Sequence, residues 1–289
     1  MAATPGTFKD ADLLEMASEE MRGTVTSRLM SMNSQLFVTS KDITTVANQS
    51  KYDIPADSIG NKVKDVVFVD TSGTEIDVVM IDTKAKSNLG IRSGSGFGTN
   101  FGSHGYFLED NKIVFFPEDV TSFPTIRVYY HRRPSELIKV TEASEVTVVN
   151  TGTNTVTVSL ALPTGFVTGA LLDIVQGDPN FALRANASAV VSITSQDIEF
   201  GAGVVDDVAV GDWVALTGES PIIQLPYEVH GWLAQATAIK VLESHGDSDV
   251  KVLQAKSKEL DQNFAINFQP RVDDDPEVIV QYDNISDYL

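Results

Sequence analysis

Residues 145–220 repeat themselves. VTVVNTGTNTVTVSLALPTGFVTGALLDIVQGDP is echoed by VVSITSQDIEFGAGVVDDVAVGDWVALTGESP, and Val167–Ile174 aligns with Ala209–Leu216 at an offset of 42 residues. Each copy reads as a strand pair with a glycine turn before its second strand. One copy cannot bury both faces of its sheet, whereas two packed together can. Short strands with Gly, Asn and Asp at the joints predict a small β-barrel or sandwich. Gly169 and Gly211 should occupy matching turns, with Leu172 and Val214 both pointing inward.

Charge marks the same segment. Residues 1–140 hold 15 Lys and Arg against 18 Asp and Glu, residues 141–222 hold 1 against 10, and residues 223–289 hold 5 against 12. The single cation of the middle segment is Arg184. This step predicts four regions. Residues 1–140 are an N-terminal helix plus a β-hairpin unit. Residues 141–222 are an inserted, duplicated β-barrel or sandwich. Residues 223–268 are a helical hairpin that completes the first domain, and 269–289 are an extended C-terminal docking tail. The fold class expected is α+β, a helical bundle with β hairpins and an inserted small β domain.

The helices are read from periodicity. Leu14, Ala17, Met21, Val25, Leu29 and Met32 fall on one stripe of a helix that Asp10 or Asp12 can cap. Pro226 suits a first helical position, and Val229, Trp232, Leu233, Ala236, Ile239 and Leu242 follow it at helical spacing. That stripe is wide, which predicts contacts on two sides. A second helix carries Val252, Leu253, Leu260 and Phe264, and the short loop makes the pair antiparallel. Between these regions, KVKDVVFVD and TEIDVVMID read as a hairpin through Thr71-Ser72-Gly73. YFLEDNKIVFFPED reads as another, turning at Glu109–Lys112. TIRVYYHRRP alternates Ile126, Val128 and Tyr130 against Arg127, Tyr129 and His131.

Chemistry is sparse. The chain has no cysteine, so thiolate sites and disulfides are excluded. The histidines at 104, 131, 230 and 245 are scattered, and no GxSxG, HExxH or P-loop is present. SGSGFGTNFGSHG (93–105) lacks the strand-before, helix-after context of a dinucleotide site and reads as a surface loop. Asp273-Asp274-Asp275 and Asp206-Asp207 lack the ligand spacing of a calcium loop. No cofactor, metal site or membrane span is expected, and a net charge of −19 argues against gripping a nucleic-acid backbone.

The order of pieces carries a resemblance. After the N-terminal helix come YDIPAD (52–57), NKIVFFPED (111–119) and TIRVYYHRRPSEL (125–137). VGDWVALTGESPIIQLPYEVHGWLAQATAIKVLESHGD (210–247) and QPRVDDDPEVI (269–279) follow. This order resembles the head–tail adaptor, or connector, proteins of tailed bacteriophages. The likeness covers most of the chain, least at 33–50 and 84–105. Related adaptors are often much smaller helical proteins, so the inserted β domain is a departure. The resemblance implies a structural virion protein and not an enzyme. Such proteins form a ring, commonly a dodecamer, between the portal and the tail or the next adaptor. DNA passes through without specific binding. The place implied is the virion neck, assembled in the host cytoplasm. The alternative is another virion component that binds a receptor or glycan, suggested by the β-rich insert and Trp213.

Interface candidates follow. Arg132 and Arg133 end a strand and could meet acidic groups of another subunit. Trp232 widens the helical stripe. Val278, Ile279 and Val280 form a short apolar run between polar flanks, followed by Tyr282 and Tyr288. Such a segment can add as a strand to a neighbour with its tyrosines as anchors.

Overall fold

A computed structural model describes residues 8–81, 105–116, 123–159, 162–177, 182–245 and 250–267. The loop at 93–104, the Gly246 turn, the Phe264 side chain and the tail 269–289 lie outside the described residues.

The chain opens with one long helix in three pieces. These are α1 (Asp10–Glu20), a π turn (Met21–Val25) and α2 (Thr26–Met32). Asp12 reaches back to accept from the Lys9 N–H at 2.9 Å, which closes the first turn. The π turn has a local cause. The Met21 carbonyl accepts the Thr26 backbone N–H and, at 2.6 Å, the Thr26 hydroxyl, which widens the helix by one residue.

Strands β1 (Val38–Thr44), β2 (Lys51–Asp53), β3 (Ser58–Val69) and β4 (Glu75–Asp77) follow. Then come β5 (Val79–Met80), β6 (Gly105–Glu109), β7 (Lys112–Phe116) and β8 (Thr125–Arg132). They make two four-stranded sheets, ordered β1-β8-β3-β4 and β2-β7-β6-β5. Ile126, Val128 and Tyr130 of β8 are fully buried and share one core with Phe68, Tyr52, Ile113 and Phe115. We call this pair of sheets the platform. The β6–β7 turn is Asp110-Asn111, with φ of 50° and 61°, the geometry a two-residue hairpin needs.

The chain leaves the platform through β9 (Glu136–Leu137) and returns through β16 (Glu219–Ser220), and these two strands pair in parallel. Between them lies a closed six-stranded barrel, ordered β10-β11-β14-β13-β12-β15. Its strands are β10 (Ser144–Asn150), β11 (Thr155–Val158), β12 (Leu171–Val175), β13 (Leu183–Thr194), β14 (Asp197–Phe200) and β15 (Trp213–Leu216). Exchanging β10 with β13, β11 with β14 and β12 with β15 leaves that order unchanged. The register obeys the same exchange. Val146 pairs Val158 and Asn150 pairs Thr155, while Val190 pairs Phe200 and Thr194 pairs Asp197. Leu172 pairs Leu216, and Ile174 pairs Val214. Gly169 and Gly211 have φ of 84° and 92°, and each donates its N–H to an equivalent valine, Val190 and Val146, at 2.9 Å. Leu172 and Val214 are both fully buried. The halves thus superpose in pairing, with β11, β12 and their mates offset by 42 residues and β10 and β13 by 44, because the first hairpin has the longer turn.

Helices α3 (Tyr227–His245) and α4 (Val250–Asn267) end the described chain. Helix α3 packs on both α1 and α4. Its buried face is short: Val229, Trp232 and Leu233 meet Met21, Val25 and Leu29 of the first helix, with Phe37, Leu137 and Leu225 filling in. The expected helical bundle is therefore overturned. Among the described residues the protein is mostly β, 40% strand against 28% helix, with three helices, the first of them α1 to α2, and a six-stranded barrel. Periodicity reports that a helix buries one face, not what it buries that face against. Here the partners include residues flanking strands, and the helices form a layer at the edge of a β protein.

Candidate functional site

The platform, the barrel and the helical layer meet around Arg132, at the end of β8. Its guanidinium is 11% exposed. Nη2 donates to Ser135 Oγ at 2.8 Å and Nη1 to Gln224 Oε1 at 3.3 Å. Nε stands 3.3 Å from Asp57 Oδ2, an ion pair off the hydrogen-bond axis, and Nη2 stands 3.7 Å from Asp173 Oδ2. Tyr130 donates its hydroxyl to Asp57 at 2.9 Å, and Asn186 of β13 donates to the same carboxylate at 3.0 Å. Burial, then the charge of Asp57, pushes the Tyr130 hydroxyl well above its ordinary pKa, so it stays a donor.

Asp173, in β12, is 1% exposed. It accepts the backbone N–H of Ala187 at 2.8 Å and of Gly218 at 3.0 Å. Burial raises its pKa, opposed by those two bonds and by Arg132. Arg132 is therefore spent inside its own subunit, tying barrel to platform. Arg133 is different. Its backbone N–H bonds Asp57 O at 2.7 Å, while its side chain is exposed and, among the described residues, has no hydrogen-bond or ion-pair partner. Lys41 of β1 likewise has none. Both border a cleft of about 270 Å³ that Asp173, Asn186, Thr217 and Gly218 close from the barrel side.

Two further surfaces lie on the helical layer. Leu13, Leu14, Leu137, Ile223, Leu233 and Val241 line an open apolar groove of about 780 Å³ between α1 and α3. A wider groove of about 970 Å³ runs along α2, α3 and α4, crossed by the Arg28–Asp261 pair at 2.8 and 3.0 Å. Trp232, 4% exposed, is among the residues lining that groove. Val278, Ile279, Val280, Tyr282 and Tyr288 lie outside the described residues. His230 bonds the Leu225 carbonyl at 3.0 Å, a local tie at the start of α3. The ring pairs among described residues lie in the platform core, apart from Tyr227 with His230.

Sequence reading missed Lys41, Asp57, Asp173 and Asn186. One signal was present for the arginines. The alternation that buries Ile126, Val128 and Tyr130, carried one step further, puts Arg132 inside and Arg133 outside.

With the geometry in place, comparison supplies the class. The chain matches the SU10 adaptor protein family over residues 9–197 and belongs to it. No curated protein matches the chain. The matched stretch starts at α1, crosses the platform and runs into the barrel as far as the first residue of β14. Strands β10 to β13 of the barrel thus lie within the matched stretch, and β15 lies beyond it. Membership makes this a bacteriophage adaptor, a structural component of the virion that works with other head and tail proteins. No described helix is long and apolar enough to cross a membrane.

Proposed function

We propose that copies of this chain close into a ring, a dodecamer, at the neck of the virion. The ring joins the portal on one side to the tail or the next adaptor on the other, and DNA passes through its centre during ejection. The observation that carries this reading is the family match over residues 9–197. Three features support it. Among the described residues the helical layer leaves an apolar groove of about 780 Å³ open, the kind of surface that marks an interaction site. Each subunit presents different surfaces at the cleft and on the helices, as a heterologous ring contact requires. The net charge of −19 suits a lining that lets DNA slide.

In this reading the tail, 269–289, reaches a neighbouring adaptor or the portal, with Val278, Ile279 and Val280 adding to a sheet edge and Tyr282 and Tyr288 as anchors. Arg133 contributes at the cleft. The test is light scattering and electron microscopy of the purified chain, alone and with portal protein. Rings that co-migrate with portal are expected. Truncation after Asp275 should give a subunit of nearly unchanged stability that fails to join portal or ring. A full-length chain that stays monomeric and ignores portal overturns the proposal.

A further inference from the structure

The cleft beside Arg132 is bordered by two cations, Lys41 and Arg133, that have no partner among the described residues. Neither the Lys41 ammonium nor the Arg133 guanidinium has a hydrogen-bond or ion-pair partner among the described residues, although carboxylates outnumber cations in the chain 40 to 21. Neighbouring cations are committed. Arg22 bonds Pro134 O, Glu136 and Gly218 O, and Arg132 bonds as described. At about 270 Å³ the cleft is smaller than the roughly 300–1,000 Å³ of small-molecule pockets, and suits inserted side chains.

One surface of the same chain has the matching character. The turn Val205–Val208 carries Asp206 and Asp207 at its tip, both exposed and neither with a partner among the described residues. Val205 and Val208 on either side are 0% and 8% exposed and belong to the barrel core, so the turn is anchored at both ends. The barrel's only cation, Arg184, already faces Asp212 at 3.7 Å, so no free cation of the barrel offsets this pair. Turn and cleft adjoin opposite ends of β15. The turn leads into β15, whereas Thr217 and Gly218 of the cleft lie past that strand's far end, roughly 13 Å on.

We infer that Lys41 and Arg133 of one copy receive the Asp206-Asp207 turn of the next copy. This rests on the ring reading and names a contact within it. The contact is heterologous: cleft on one side, turn on the other, repeated from subunit to subunit.

Charge reversal tests it with full-length protein. Lys41→Glu with Arg133→Glu makes cleft and turn both acidic. Asp206→Lys with Asp207→Lys makes both basic. Each double variant should fold as the parent does by circular dichroism, because all four side chains lack partners among the described residues. Each alone should need roughly tenfold or more protein to assemble, since like charges across an interface oppose association. Mixed in equal amounts, the two should assemble again, because every cleft then finds a turn of opposite sign. Assembly of both variants as readily as the parent overturns this contact and leaves the ring standing. Impaired variants that the mixture does not rescue also overturn it. A parent chain that never assembles, alone or with portal, overturns the ring and this contact together.

Discussion

The two halves of the barrel share their pairings and differ in their buried carboxylates. By the 42-residue offset, Asp173 falls where Ala215 stands in the second half, and Asp212 falls where Ala170 stands in the first. Both acids are buried, at 1% and 3% exposure. Each accepts two backbone N–H bonds: Asp173 from Ala187 and Gly218, Asp212 from Gly177 and Ala209. Their cations differ. Asp173 faces Arg132 of the platform at 3.7 Å, and Asp212 faces Arg184 of its own barrel at 3.7 Å. What the halves share accounts for a closed core. What they do not share accounts for how that core is attached to the rest of the subunit.

The largest expected effect breaks the attachment. Arg132→Ala leaves Asp57 and Asp173 close together without their cation. Removing one partner of a buried pair costs about 3–5 kcal/mol. Arg184→Ala should cost about 1–3 kcal/mol, because Asp212 keeps both N–H bonds and the Arg184 side chain is already 28% exposed. Urea unfolding of both variants checks the order. Equal losses would show that the platform tie is no stronger than the internal one.

Core truncation sharpens the shared part. Leu172→Ala, at a fully buried position, should cost about 2–5 kcal/mol. Val214→Ala, its mate, should cost less by about one methylene, ~0.8 kcal/mol. Leu233→Ala in the helical layer, at 2% exposure, falls in the same range of about 2–5 kcal/mol. The barrel mutations should move a barrel transition and the Leu233 mutation a separate one, if residues 141–222 fold as a unit. Circular dichroism of 141–222 produced alone gives the direct answer, a cooperative β signal being expected.

Glycine replacement is the finer probe of the two-fold. A Cβ at Gly177 would stand 2.3 Å from the Gly211 carbonyl oxygen, so Gly177→Ala forces backbone apart and should cost about 1–3 kcal/mol. Gly169 and Gly211 face open space, and each substitution there carries only the strain of positive φ. Gly169→Ala and Gly211→Ala should each cost about 1–2 kcal/mol and match within a few tenths. Unequal costs would mean that the turns differ in more than sequence.

These contrasts show what was legible beforehand. The duplication was visible because both copies keep glycine turns and inward apolar residues at one spacing. The first helix was visible because Met21, Val25 and Leu29 recur in step, although the π turn among them was not. That turn depends on one hydroxyl, Thr26, bonding the Met21 carbonyl. The platform's strands were readable, but its order was not. β1 pairs β8 across more than eighty residues, as Val38 with His131, and no local pattern announces so distant a partner. The junction was hidden for the same reason. Asp57, Arg132, Asp173, Asn186 and Gln224 come from five places in the chain, and only the fold brings them together.

The smallest effect isolates the charge of Asp173 itself. Burial holds its folded-state pKa above the unfolded value of about 3.9, so the folded protein binds the proton more tightly than the unfolded chain does. The sign follows from linkage. This group's contribution to stability is fullest below the unfolded pKa and is lost as pH rises through the raised folded pKa, where a buried carboxylate must ionise. Asp173→Asn removes the titration and keeps one carbonyl oxygen as an acceptor. It pits an amide N–H against the second backbone donor, and Arg132 keeps Asp57 as its counter-ion. The variant should therefore be weakest relative to the parent at low pH and should recover relative to it as pH rises through the folded pKa. Urea unfolding from about pH 4 to pH 8 measures the difference directly. Parallel profiles would mean that Arg132 and the two N–H bonds hold Asp173 charged throughout, making the platform tie a permanent ion pair.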